Sequence, residues 1–279
     1  MARGLSLHLG LNAVDPGGYD GWDGALGACE ADAVSMEAIC AAAGFRTKVL
    51  LTAEATRDAF LAEARSMASN VVSGDTVVIS YSGHGGQLPD INRDEDDRLD
   101  ETWCLYDAQL IDDELYMLWS EFPVGARIVV FSDSCHSGTV LRNSFVTAAG
   151  LPVAPPSNLF RAMPPSIQRR AYAAKKEFYD KLLKQPPPPP EPAASVVLIS
   201  GCQDNQLSQD GIYNGAFTGA LLEVWDNGRF KGGYEDFVKK IRKLLPSSQS
   251  PNLMSVGPQN DSFIKGQVLS GADPASAQQ

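Results

Sequence analysis

Two apolar, β-branched runs, Thr76-Val77-Val78-Ile79 and Ile128-Val129-Val130-Phe131, each give way directly to polar residues and glycine. The first continues as Ser80-Tyr81-Ser82-Gly83-His84-Gly85-Gly86, the second as Ser132-Asp133-Ser134-Cys135-His136-Ser137-Gly138. Such runs read as buried strands of a largely parallel sheet, and the residues after them lie at its carboxyl edge, where open α/β folds keep their sites. One edge position would carry an imidazole and its neighbour a thiol. That is the pair a cysteine nucleophile needs.

Further strands are predicted over 5–11, 47–51 and 196–201, beside those over 76–82 and 128–133. Helical spacing links Met36, Ile39, Cys40 and Ala43, with Gly44 as the stop. A second helical stripe holds Phe60, Leu61, Ala64 and Ala68 after Thr56 as N-cap, and a third holds Tyr234, Phe237, Val238, Ile241 and Leu245 before Pro246. Alternating strands and helices imply right-handed crossovers and an α/β fold, a mostly parallel central sheet flanked by helices on both faces. Residues 143–194 break the pattern, with eleven of the eighteen prolines. They read as a Pro-rich inter-strand loop without a core of its own, enclosing a short basic helix over 168–184. The segment 271–279 reads as a flexible tail.

A net charge of −11 argues against nucleic acid as a partner. The charge is uneven: 90–114 holds eleven acids against two arginines, while 142–194 holds eight Lys/Arg against three acids. No run is long and apolar enough to span a membrane, and the first residues do not resemble a secretory signal. The five scattered cysteines, Cys29, Cys40, Cys104, Cys135 and Cys202, lack metal-type spacing and suit reduced thiols in a cytoplasmic protein.

Among three histidines, His8 lies mid-strand, where a structural role is expected, and His136 adjoins Cys135, so its side chain diverges from the thiol. His84 remains as the natural partner on another strand. Most free cysteines are buried small hydrophobes, and that reading suits the other four; the polar, glycine-bearing surroundings of Cys135 do not.

Ser82-Gly83-His84-Gly85-Gly86 and Asp133-Ser134-Cys135-His136-Ser137-Gly138 resemble the two catalytic motifs of the metacaspases, bacterial-type caspase-like cysteine peptidases. Cys29-Glu30-Ala31-Asp32-Ala33, Ile111-Asp112-Asp113-Glu114-Leu115, the stretch from Ile199 to Gln206, Gly215-Ala216-Phe217-Thr218 and Ser250-Pro251-Asn252-Leu253 resemble further family segments. The similarity runs from about Leu5 to Leu269 outside the Pro-rich loop. It implies one caspase-like peptidase domain over 1–270, with a large-subunit-like part (1–142), the linker loop (143–194) and a small-subunit-like part (195–270).

The resemblance implies a cysteine endopeptidase in which Cys135 attacks the scissile carbonyl and His84 protonates the leaving amine. Backbone N–H groups of Gly85 and Cys135 would form the oxyanion hole. Asp32 and Asp133, with Ser82 alongside, would line a pocket for Arg or Lys at P1, the residue before the cut. Asp32 as a helix cap and Asp133 as a brace are the plainer alternatives. Calcium activation through four aspartates is common in the family. Asp100, Asp112 and Asp113 match three of them, but Arg142 stands at the fourth, so no metal or cofactor is expected and activity is expected to be calcium-independent.

Arg161, Arg169, Arg170, Lys175, Lys176 and Lys184 in the loop are expected processing sites, cut by the chain itself or by an upstream protease. The uncut loop would cover the acidic pocket, as in a zymogen. Protein or peptide substrates, no nucleic acid, no membrane and a monomeric state complete the expectations. A caspase-like regulatory or binding module without proteolysis is the alternative; a redox-sensing thiol is a weaker one, for which no resolving cysteine can be placed.

Overall fold

Each of the apolar runs becomes a strand, and the order of elements carries the two motifs to adjacent strand ends. The computed structural model describes residues 3–91, 99–135, 160–185, 191–202, 210–211 and 213–270. The chain opens with β1 (Gly4–Gly10), α1 (Cys29–Ala42), β2 (Arg46–Leu51), α2 (Arg57–Asn70) and β3 (Thr76–Ser82). Then come β4 (Gly85–Pro89), β5 (Leu99–Cys104), β6 (Gln109–Ile111), α3 (Asp112–Ser120) and β7 (Arg127–Asp133). The remainder comprises α4 (Pro165–Ala174), α5 (Lys176–Leu183), β8 (Ser195–Ser200), α6 (Ala216–Trp225), α7 (Tyr234–Leu244), β9 (Asn252–Val256) and α8 (Asp261–Ile264).

Six strands form the central sheet in the order β2-β1-β3-β7-β8-β9. The first five are mutually parallel, and β9 closes the edge antiparallel to β8. Alternation along the strands sends side chains to two cores. Val77, Ile79, Ile128 and Val130 meet Phe60, Trp119 and Phe122 on one face. Val78, Val129 and Phe131 meet Met36, Phe217 and Phe237 on the other. Thr56 caps α2 by accepting the Ala59 N–H at 3.2 Å, and Gly44 follows α1 with φ +86°, a conformation that favours glycine. His8 is buried mid-sheet between Ser80 Oγ (2.8 Å) and Ser6 Oγ (2.9 Å), the structural role expected of it.

Two features depart from the sequence reading. The strands β4, β5 and β6 form a second, antiparallel sheet in the order β4-β5-β6, which their glycines, proline and acids hid from pattern analysis. The Pro-rich segment, in its described part, holds two helices rather than one and does contribute to a core. Pro165 opens α4, where its missing N–H costs nothing. Tyr179 and Leu183 are buried with Leu88, Ala108 and Ile111 of the small sheet. The Gln109 N–H donates to the Tyr179 hydroxyl (3.1 Å), Lys175 Nζ donates to the Asp107 carbonyl (2.7 Å), and the Arg57 guanidinium lies 5.4 Å from the Phe178 ring centre. Among the described residues, no helix is long and apolar enough to cross a membrane.

Candidate active site

Because β3 and β7 pair in parallel with Ser82 opposite Asp133, His84 and Cys135 each stand two residues beyond matched strand ends. The His84 carbonyl is fixed by the Tyr81 hydroxyl (2.6 Å) and the Cys104 N–H (2.9 Å). Its ring leans on Trp22, with centroids 4.7 Å apart. Nε2 lies 3.0 Å from the Gly24 carbonyl. A carbonyl only accepts, so Nε2 carries the proton and the neutral ring's lone pair resides on Nδ1. Nδ1 is buried with no hydrogen-bond partner among the described residues. Burial pushes the His84 pKa down to about 4, and the charge on Arg161 adds to this; the Gly24 carbonyl and the backbone of Ala162 act the other way. At neutral pH the ring is therefore an uncharged proton acceptor.

Cys135 is buried beside Phe160, Ala162 and Cys202. The preceding residue is braced: Ser134 Oγ lies 2.9 Å from Ser132 Oγ, which accepts the Trp103 indole N–H at 3.0 Å. Cys202, for which the sequence suggested no special place, joins this cluster and directs its thiol to the Ser134 carbonyl at 3.3 Å. All five cysteines are buried and unbridged.

The backbone N–H groups of Gly85 and Cys135 converge on one oxygen, the carbonyl of Arg161, at 2.9 and 3.0 Å. The Arg161 side chain is fully buried. Its Nη2 lies 2.7 Å from Asp32 Oδ2 and 2.9 Å from Asp210 Oδ1, and its Nη1 lies 2.9 Å from Asp133 Oδ2. Nη1 also donates to Ser82 Oγ at 2.7 Å. Each carboxylate is itself anchored. Asp32 accepts from Asn214 Nδ2 (2.9 Å) and the Gly215 N–H (3.0 Å). Asp133 accepts from the Thr218 N–H (3.2 Å) and Oγ1 (2.9 Å). Asp210 accepts from the Gly27 N–H (2.7 Å). Gly215 is required here, because a Cβ would come within 2.6 Å of the guanidinium.

Burial opposes the Arg161 charge, but Asp133, Asp32 and Asp210 hold it firmly protonated, well above its ordinary value. Burial, reinforced by Asp133, pushes the Asp32 pKa up, with Arg161 pulling against them. Without a cation the pocket would hold buried carboxylates facing one another, an arrangement that selects a cationic side chain and repels an acidic one. Asp32, Ser82 and Asp133 thus lie together as the sequence suggested. Asp210, Asn214, Gly215 and Thr218 were not singled out. A third acid next to a glycine, in the polar stretch after β8, was the available signal for Asp210.

Of the six basic residues flagged in the loop, only Arg161 enters this pocket. Arg169 lies within α4. Arg170 pairs with Asp20 (2.8 Å), Lys176 and Lys184 face Asp180 (2.6 and 3.6 Å), and Lys175 holds the Asp107 carbonyl. His136 and Arg142 lie outside the described residues.

Burial pushes the Asp112 carboxyl well above the usual range, and Glu101, Asp100 and Asp113 add to it. Among the described residues, however, no three His, Cys, Asp or Glu side chains converge as a metal site.

The model of the caspase domain, peptidase family C14, matches residues 14–263. Metacaspase-1 of Schizosaccharomyces pombe is 31% identical, over 71% of this chain and 53% of that protein. Metacaspase-1 of Mycosarcoma maydis is 30% identical, over 91% of this chain and 70% of that one. The chain thus spans roughly half to two thirds of the length of such fungal relatives. A crystal structure of a Geobacter sulfurreducens protein superposes with a TM-score of 0.87 at 48% identity, covering 97% of this chain and all of that one.

Proposed function

The chain belongs to the caspase-domain family of cysteine peptidases, as a metacaspase-like member, and on that premise we propose that it cleaves peptide bonds after arginine or lysine. The observation that carries this reading is Arg161. Its guanidinium rests on three carboxylates while its carbonyl oxygen takes two convergent N–H groups. That is how a substrate's P1 residue and scissile carbonyl would be held.

In the proposed reaction, His84 Nδ1 takes the thiol proton of Cys135, and the sulfur attacks the carbonyl carbon. The developing oxyanion is stabilised by the N–H groups of Gly85 and Cys135. As the C–N bond breaks, the imidazolium returns the proton to the leaving amine, and a thioester remains on sulfur. Water then adds to the thioester, giving the free carboxylate and regenerating the thiol.

By the same reading, the Arg161–Ala162 bond is the chain's own first substrate. Until it is cut, Arg161 fills the acidic pocket and the enzyme is latent, whether the chain cuts itself or an upstream protease does so. The other five basic residues, on or beside docked helices, are poorer sites because a peptidase needs extended backbone. No step calls on calcium.

The test is hydrolysis of matched fluorogenic peptides ending in Arg, Lys or Asp, with calcium or with chelator, beside Cys135→Ala. Cleavage after Arg and Lys in both conditions, lost in Cys135→Ala, is the expected result. Equal activity in Cys135→Ala, or cleavage after Asp, would overturn it. The regulatory-module alternative predicts silence from the chain even after the loop has been cut at Arg161 by an added basic-specific protease.

A further inference from the structure

The contacts of Arg161 continue past the bond that would be cut. Ala162 forms a parallel bridge with Gly85. The Gly85 N–H donates to the Arg161 carbonyl, and the Gly85 carbonyl accepts from the Met163 N–H at 2.8 Å. The segment is therefore added as a short strand to the start of β4, spanning both sides of the scissile position. In a strand, alternate side chains point to the same side and neighbours to opposite sides. Arg161 goes into the acidic pocket, and Met163, two residues on, goes into a second socket.

That socket is apolar and built mainly by the body of the protein. Met163 is fully buried among Val14, Tyr19 and Cys104, with Trp22 at the margin, and Ala171 of α4 closes it from outside. The methyl end of Met163 reaches Gly86, where a Cβ would stand 3.3 Å from it. Tyr19 is held in place by its hydroxyl donating to the Leu105 carbonyl at 2.6 Å. Cys104 is held through its N–H to the His84 carbonyl, on the same stretch of backbone that carries the histidine.

Resting on the peptidase reading, we infer that this enzyme has a leaving-side specificity site, lined by Val14, Tyr19, Cys104 and Gly86. It selects an unbranched or γ-branched apolar residue two positions after the cut. The ligand class is an extended peptide with Arg, then a small residue, then Met or Leu. Gly85 supplies the backbone register that links the two pockets. A charged residue at that position would be dehydrated without a partner, so the site rejects it.

The test uses the full chain and quenched peptides of the form Phe-Arg-Ala-X, with X as Met, Leu, Phe, Ser or Asp. Phe-Arg carrying a reporter directly on the arginine is run in parallel. The chain's own Met163 competes equally with every X, so ratios of kcat/KM are informative. Met and Leu are expected to exceed Ser and Asp by about tenfold or more, the scale of burying one large apolar side chain. Val14→Ala, which enlarges the socket without adding polarity, is expected to move the optimum from Met toward Phe. Cleavage of the reporter with all X peptides within twofold of one another would overturn the inference and leave the peptidase reading intact. Silence toward the reporter and the peptides alike, even after the loop is cut, would overturn both.

Discussion

His8 and His84 lie on neighbouring strands of one sheet, or just beyond their ends, both buried, and burial drives both pKa values down, to about 3 and about 4. What separates them is the second nitrogen. In His8 both ring nitrogens are satisfied by serine hydroxyls, one from its own strand and one from β3. In His84 a carbonyl takes Nε2, and Nδ1 is kept bare inside the protein among the described residues. A buried polar atom without a partner is costly, and in this respect His84 differs from His8, both of whose nitrogens are satisfied. Burial alone therefore does not separate the two rings; the partners of their nitrogens do.

Removing each ring should break the comparison most visibly. His84→Ala should lower peptide kcat/KM by about a hundredfold to ten-thousandfold, the worth of a positioned acid–base group. His8→Ala should leave that ratio nearly unchanged and instead cost about 1–3 kcal/mol of stability, by stranding two hydroxyls in the sheet. Peptide kinetics beside urea denaturation measures both. Next in size, Asp133→Ala should cost Arg substrates about a hundredfold or more, since one partner of a buried ion pair is worth roughly 3–5 kcal/mol. Asp210→Asn, on a carboxylate shared with the Gly27 N–H, should cost less and leave the order Arg over Asp unchanged.

A further difference between the rings is in pH. The unfolded chain binds a proton on His84 near pH 6.5, whereas the folded chain does not until about pH 4. Stability from the neutral ring is therefore fully present above pH 6.5 and declines as pH falls through that window, by roughly 3 kcal/mol in all. Because carboxylates titrate over the same range, the readable quantity is the difference between the Cys135→Ala chain and its His84→Ala counterpart. That difference should shrink from pH 7 to pH 4. A constant difference would mean that burial does not lower the His84 pKa.

The two motifs were legible because strand runs and glycine punctuation are local signals, and they placed β3 and β7; Asp32 and Asp133, singled out through the family resemblance, do lie together around Arg161. Pattern could not show which loop residue fills the pocket. Arg161 is one of eight Lys/Arg in 142–194, and what distinguishes it is three carboxylates from three distant parts of the chain. Asp210 was missed for the same reason: its role exists only once the chain after β8 returns to the mouth of α1. The β4–β6 sheet escaped because its strands, such as Gly85–Pro89, carry little β-branched character and are stabilised by packing against α4 and α5. Proline content misled about 160–185, where Pro164 and Pro165 start a helix rather than prevent one.

The most direct measurement is intact mass with N-terminal sequencing of the chain during incubation, beside Cys135→Ala and Arg161→Ala. The expected result is one early cut that creates a new N-terminus at Ala162, absent from both variants, with the two fragments eluting together because β7 and β8 stay paired. A first cut elsewhere in the loop, or the same cut appearing in Cys135→Ala, would contradict the claim that Arg161 lies in the site as a substrate.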